Sequence, residues 1–157
     1  LVVIARDQRK LRSSETDKTG FEPEAHKGEV VVATMHGAKG LEWDRVYLLA
    51  VSDYEFPAGK PTDSFRSERW FVRDNLSLAN ETLGQLDAAV DDKEHLEGSA
   101  TMEARYDYAR ERLRLLYVGI TRARKELMVT SNVGPRGSNK PALAFVALRD
   151  SLKSPDI

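Results

Sequence analysis

The chain shifts several times between short runs of consecutive apolar residues and longer stretches with three- and four-residue spacing, the rhythm of an α/β protein. Leu1 to Ala5 is a β-branched run that suits a buried parallel strand. Arg6 to Lys27 is polar and interrupted by Gly20 and Pro23, which predicts a loop or a frayed helix. Glu29 to Met35 contains Val30-Val31-Val32-Ala33, a strand expected to be covered on both faces. Arg45 to Val51 is a further strand, ending in Ser52-Asp53 and then Phe56-Pro57-Ala58-Gly59.

Lys60 to Ser99 is patterned less sharply: Ser67 to Asn75 and Leu76 to Val90 suit helices, and Asp91-Asp92-Lys93-Glu94 suits solvent. From Thr101, Met102, Tyr106, Ala109, Leu113, Leu116 and Tyr117 recur at helical spacing, with charged residues between them. The expectation is one long amphipathic helix. A last strand over Glu126 to Ser131, a loop over Gly134 to Pro141 and a helix over Ala142 to Leu152 complete the series, with Ala144, Phe145, Leu148 and Leu152 on one side of that helix.

Composition narrows the chemistry. A chain of 157 residues can form its own core as one domain. Its 24 Lys+Arg and 25 Asp+Glu nearly balance, so any contact with nucleic acid must be local. The absence of cysteine excludes disulfides, thiolate metal sites and cysteine nucleophiles. The scattered His26, His36 and His95 form no metal motif. No apolar run approaches the ~20 residues that span a bilayer, and a soluble, cytoplasmic protein is expected. A start at Leu1, inside a strand-like run, reads as a piece of a larger protein.

Two stretches carry candidate chemistry. In Thr34-Met35-His36-Gly37-Ala38-Lys39-Gly40-Leu41-Glu42-Trp43 a strand runs into a glycine-containing turn, where unpaired backbone N–H groups would favour an anion. Gly37 and Gly40 would allow a phosphate close to the backbone, His36 and Lys39 would share a face and donate to phosphate oxygens, and Glu42 would accept from ribose hydroxyls. The alternative is a simple connection in which Glu42 pairs with Lys39. The phosphate loop Gly-x-x-x-x-Gly-Lys-[Ser/Thr] does not occur in the chain.

The second stretch, Leu116-Tyr117-Val118-Gly119-Ile120-Thr121-Arg122-Ala123-Arg124, ends the long helix with two arginines and a threonine. A rigidly carried guanidinium suits charge that develops during phosphoryl transfer. Arginines that cap the helix C-terminus and pair with Glu126 are the structural alternative.

In this order the two stretches resemble the late motifs of the UvrD/Rep-type superfamily 1 DNA helicases, matching at Thr34, His36, Ala38 to Glu42, and Tyr117 to Arg124. Phe56-Pro57 and the opening strand fit as well. The resemblance implies an α/β, RecA-like three-layer α/β/α fold with an open, mainly parallel sheet. It also implies that residues 1–157 are the C-terminal motor domain of an ATP-dependent DNA helicase. By that resemblance Arg122 is the arginine finger and reaches the γ-phosphate. Glu42, Gly40, Lys39 and Arg124 line the ATP site, with Glu42 on the ribose. Thr34, His36 and Lys39 face single-stranded DNA, and Lys39 couples the two sites. ATP with Mg2+ would be shared with an N-terminal RecA-like domain that carries the phosphate loop, so the isolated chain is expected to be inactive. A role in DNA repair is the expected setting.

Met35 and Trp43 replace the family's usual Leu and Phe, and Arg6 to Glu29 is too short for its accessory domain. Phe65 to Arg73 interleaves aromatics with arginines, which suits either a single strand or packing of Trp70 and Phe71 on the core. The competing function is a non-catalytic, helicase-like DNA-binding or regulatory module, for instance in a recombination nuclease complex.

Overall fold

A computed structural model describes residues 2–4, 26, 28–60, 72–73, 75–133, 137 and 139–153. Four strands, β1 (Val2–Ile4), β2 (Val31–Ala33), β3 (Trp43–Leu48) and β6 (Ala123–Val129), form a parallel sheet in the order β2-β1-β3-β6. The remaining described elements are a hairpin, β4 (Val72–Arg73) with β5 (Leu76–Ser77), and helices α1 (Leu78–Val90), α2 (Ser99–Ile120) and α3 (Leu143–Ser151). Parallel neighbours require crossover connections, and the one between β3 and β6 carries the hairpin, α1 and α2. This is the open α/β architecture that the pattern predicts.

Register assigns the two faces of the sheet. Val31, Val46 and Leu127 share one face with Ala33, Leu48 and Val129, whereas Val32, Tyr47 and Met128 share the other. Val46 and Leu48 are fully buried on the first face, each contributing roughly 1.5–3 kcal/mol. Helix α2 reaches that face through Gly119, where a Cβ would come within 3.0 Å of Leu48 Cδ2. Leu116, Val51, Phe56, Ala38 and Ala142 complete the core around them. The expectation that Val30 to Ala33 is covered on both faces is not met: β2 is an edge strand among the described strands, and Val30 and Val32 are exposed.

The helix expected over Ser67 to Asn75 is also replaced where it can be seen. Val72–Arg73 pairs antiparallel with Leu76–Ser77, and Asn75 at φ 64° occupies the left-handed region that asparagine tolerates in tight turns. Residues 61–71, and with them most of the aromatic-arginine run at Phe65 to Arg73, lie outside the described residues, as does nearly all of the polar segment at Arg6 to Lys27.

Helix α2 is the longest described element, as expected, but its packed stripe is different. Thr101, Arg105, Ala109, Leu116 and Gly119 are buried and Arg112 is half-buried, while Tyr106, Leu113 and Tyr117 face solvent. The polar positions turn inward because the fold supplies their partners. Arg105 donates to the Asn75 carbonyl, and Arg112 donates to Glu55 through Nε to the carbonyl (2.7 Å) and Nη2 to Oε2 (3.2 Å). The Arg112 guanidinium also lies 5.2 Å from the centre of the Phe56 ring, which pins the loop after β3 to α2. At the C-terminal end, Ala142 donates its amide to Val51 O, and Ala144 and Phe145 of α3 pack on the core. Leu152, expected on the same side, is exposed beyond the helix end.

Candidate functional site

Between β2 and β3 the chain makes a compact turn over Met35 to Gly40, closed by its own hydrogen bonds. Thr34 anchors it: its carbonyl accepts from Ala38 N (3.0 Å) and its Oγ1 from Gly37 N (3.0 Å). Lys39 N donates to His36 O, and Leu41 N to Ala38 O. The backbone anion cradle expected from the glycines is therefore partly spent, because the amides of Gly37, Ala38 and Lys39 within the turn, and of Leu41 just after it, already have partners. Ala38 is buried beneath the turn, which directs the exposed His36 and Lys39 side chains to solvent. Gly40 ends the turn at φ 82°, a conformation that side-chain-bearing residues rarely adopt.

The second stretch closes onto the first across more than eighty positions of sequence. Arg122 lies in the turn between α2 and β6, and its carbonyl accepts from Trp43 N (2.9 Å). Its side chain bonds three ways: Nε to Val118 O (2.9 Å), Nη1 to Leu41 O (3.0 Å) and Nη2 to Thr121 Oγ1 (3.0 Å). The bond to Val118 O is the helix-capping arrangement that sequence alone left open, with a cation at the negative end of α2. Three of the five guanidinium N–H donors are thus engaged, and two remain, one on each terminal nitrogen.

Arg124 belongs to β6 itself, not to the end of the helix. Its Nε donates to Glu42 Oε2 at 3.2 Å, an ion pair with both side chains about half exposed. The alternatives of Glu42 with Lys39 and Arg124 with Glu126 are corrected by the register, which sets Glu126 opposite Arg45 instead. Asp44 and Lys125 make the next pair, at 2.7 Å. Hydrogen bonds from Lys125 to Asp44 and from Arg45 to Glu126 hold both carboxyls below their ordinary values. All of these groups are solvated, so the pairs orient side chains more than they stabilise the fold.

One polar centre escaped the sequence pattern. Glu81 on α1 is buried, and its carboxylate accepts four hydrogen bonds: Thr101 N (2.7 Å) and Thr101 Oγ1 (2.5 Å) on Oε1, His95 Nε2 (2.8 Å) and Gly98 N (2.9 Å) on Oε2. Thr101 Oγ1 in turn accepts from Ser77 N, and Ser77 caps α1 through Asn80 N. Burial pushes the Glu81 carboxyl up, but the bonds from Thr101, Gly98 and His95 outweigh it and hold the group at about 2. Gly98, the residue before α2, offers no side-chain cap, so Glu81 supplies one from the neighbouring helix. The only local signal was Ser77 ahead of a helical run.

Among the described residues no group of His, Asp or Glu side chains is placed to hold a metal ion, and no helix is long and apolar enough to cross a membrane. No curated protein sequence matches the chain. The UvrD-like helicase C-terminal domain family matches residues 8–134, the span that contains both ends of the Arg122 linkage. The chain therefore belongs to the UvrD-like helicase C-terminal domain family and is part of a helicase motor.

Proposed function

We propose that residues 1–157 act as the C-terminal motor domain of an ATP-dependent DNA helicase, completing a nucleotide site whose phosphate loop lies in a preceding RecA-like domain. The observation that carries this reading is the partial anchoring of Arg122. Three bonds fix the guanidinium plane against α2 and the first stretch, and two N–H donors are left for phosphate oxygens. A side chain fixed in this way stabilises transferring charge without first having to be ordered.

Glu42 is the acceptor for ribose hydroxyls in this scheme, and Arg124 holds its carboxylate in place from the adjoining strand. Gly40 and Lys39 complete the domain's side of the ATP and Mg2+ site. Thr34, His36 and Lys39 face single-stranded DNA; the Thr34 hydroxyl sets the turn by accepting from Gly37 N, and His36 and Lys39 supply donors to the backbone of the strand. The Leu41 carbonyl links the sides, since it accepts from Arg122 and directly follows the turn that bears Lys39 and His36. Movement of the turn on strand binding would therefore be felt at Arg122, and closure on ATP would be felt at the strand.

The test is Arg122→Ala in the intact helicase, read as single-strand-stimulated ATP turnover. Loss of an arginine finger lowers turnover by about 10³–10⁵. Unchanged turnover overturns the assignment and favours a non-catalytic module. The isolated chain should show no ATPase of its own, with activity appearing when the N-terminal half is added.

A further inference from the structure

Helix α1 is packed inside out. The side turned toward α2 carries Glu81, Gly84 and Ala88, whereas Leu83 is 59% exposed, Leu86 58% and Val90 85%. With Leu78 and the small Ala79 and Ala89, these residues cover an arc of about 140° at 3.6 residues per turn, interrupted only by Thr82, whose hydroxyl is turned back onto the Leu78 carbonyl. An apolar stripe of this width normally faces a core.

The helix cannot bury that stripe by rolling over, because its inner side is fixed. Glu81 holds four hydrogen bonds to the start of α2 and its approach. At Gly84 a Cβ would lie 2.9 Å from His95 Cε1 and 3.0 Å from Ala100 Cβ, so the two segments meet too closely for any other residue without adjustment. The leucines are therefore held outward.

Charge around the stripe identifies what fits it. Asp87 borders the stripe in the last turn, Asp91 is the C-cap, and Asp92 and Glu94 follow, all exposed. The last turn holds no basic residue, and the Lys93 ammonium is paired with Asp91. Carboxylates thus add to the negative end of the helix, where cations are favoured. Such a rim repels a nucleic-acid backbone and attracts Lys and Arg.

We propose that the outward face of α1 docks a basic amphipathic helix of a partner protein, its apolar side on Leu83, Leu86 and Val90 and its Lys or Arg residues against Asp87 at the border of the stripe, with Asp92 and Glu94 adding negative charge beyond the helix end. This inference does not depend on the role of Arg122. The probe is a labelled amphipathic peptide of about five turns, with leucines at i, i+3, i+4 and i+7 and lysines or arginines elsewhere. One comparison peptide keeps the leucines but is acidic, and a second keeps the charges with serine in place of leucine. Binding to the 157-residue chain is read by fluorescence anisotropy.

The basic amphipathic peptide should bind at least about tenfold more tightly than either comparison peptide, a difference of about 1.4 kcal/mol. Its affinity should weaken as salt rises. Leu83→Glu with Leu86→Glu should abolish binding while circular dichroism and melting stay unchanged, since both side chains are already in water. Asp87→Lys with Glu94→Lys should shift preference toward the acidic peptide. Equal binding of all three peptides, no binding at all, or binding insensitive to the leucine changes overturns the proposal. So does a dimer, seen by light scattering, that Leu83→Glu with Leu86→Glu dissociates, because the occupant would then be a second copy of this chain.

Discussion

A charged side chain is held at each end of α2, and both obey the helix dipole: the Glu81 carboxylate sits at the N-terminus and the Arg122 guanidinium at the C-terminus. They differ in what the fold leaves unused. Glu81 is buried and accepts two bonds on each oxygen, which fills the acceptor capacity of a carboxylate. Arg122 is half-buried and has two N–H donors left over. A saturated charge organises a fold, whereas a fixed charge with spare donors can act on something else. Closely related electrostatics therefore give a structural clasp at one end and a candidate catalytic group at the other.

Exchanging the two residues' roles by mutation is the strongest way to break this comparison. Arg122→Ala should lower strand-stimulated turnover of the intact helicase by about 10³–10⁵. In the isolated chain it removes the three half-buried side-chain bonds to Val118, Leu41 and Thr121, each replaceable in part by water, and should cost about 1–2 kcal/mol in a denaturant titration. Glu81→Ala should do the reverse. It leaves the buried Thr101 amide and the half-buried Gly98 amide without their acceptor and should cost about 2–5 kcal/mol. Comparable losses of stability in both variants would erase the distinction.

The clasp also predicts a pH dependence that the other end lacks. The Glu81 carboxyl is held down, from 4.5 to about 2, so its contribution is fully present above pH 4.5 and is lost as pH falls toward 2. The size of that contribution is on the order of 1–3 kcal/mol. Acid unfolding of the wild-type chain should therefore steepen below pH 4.5. Glu81→Gln removes the titrating group, and with it much of that steepening, while lowering stability at neutral pH because its amide nitrogen meets another donor at Gly98 or His95. Gly84→Ala probes the same contact sterically. The added methyl gains up to about 1 kcal/mol of helix propensity but enters a gap already at 2.9–3.0 Å, and a net loss of about 1–2 kcal/mol is expected.

These two ends were unequally legible in the sequence. The motif at Thr121 to Arg124 is contiguous and stands at a change of rhythm, from the helical spacing of Leu113 and Leu116 to the strand over Leu127 to Val129, so its place between helix and sheet could be read directly. The partners of its charges could not, because Glu42 and Arg124 are set by parallel register across more than eighty positions. Glu81 itself gave no signal, and Ser77 ahead of the helical run marked only the start of α1. Hydrophobic periodicity assumes that apolar residues face inward, and α1 reverses that rule around a buried carboxylate whose bonds come from Gly98 and Thr101. The packed stripe of α2 likewise passes through Thr101, Arg105 and Arg112 instead of Tyr106 and Leu113, because Glu81, the Asn75 carbonyl and Glu55 supply their partners. Strand order, by contrast, follows from pairing that no single strand encodes.

The smallest expected effect sharpens the comparison at the Arg122 end. Glu42 and Arg124 form a solvated pair at 3.2 Å, so Arg124→Ala should change the stability of the chain by less than about 1 kcal/mol. If the carboxylate serves the ribose, its partner matters through position. Arg124→Ala should raise the KM for ATP several-fold in the intact helicase, and Glu42→Ala should raise it at least as much, since it removes the acceptor itself. Replacing both should add little to Glu42→Ala, because an arginine that acts by orienting a carboxylate has no role once the carboxylate is gone. With 2′,3′-dideoxy-ATP, which lacks the ribose hydroxyls, the wild type and Glu42→Ala should converge. Additive effects, or an unchanged gap between ATP and the dideoxy nucleotide, would place Arg124 on the phosphates alongside Arg122 and detach Glu42 from the sugar.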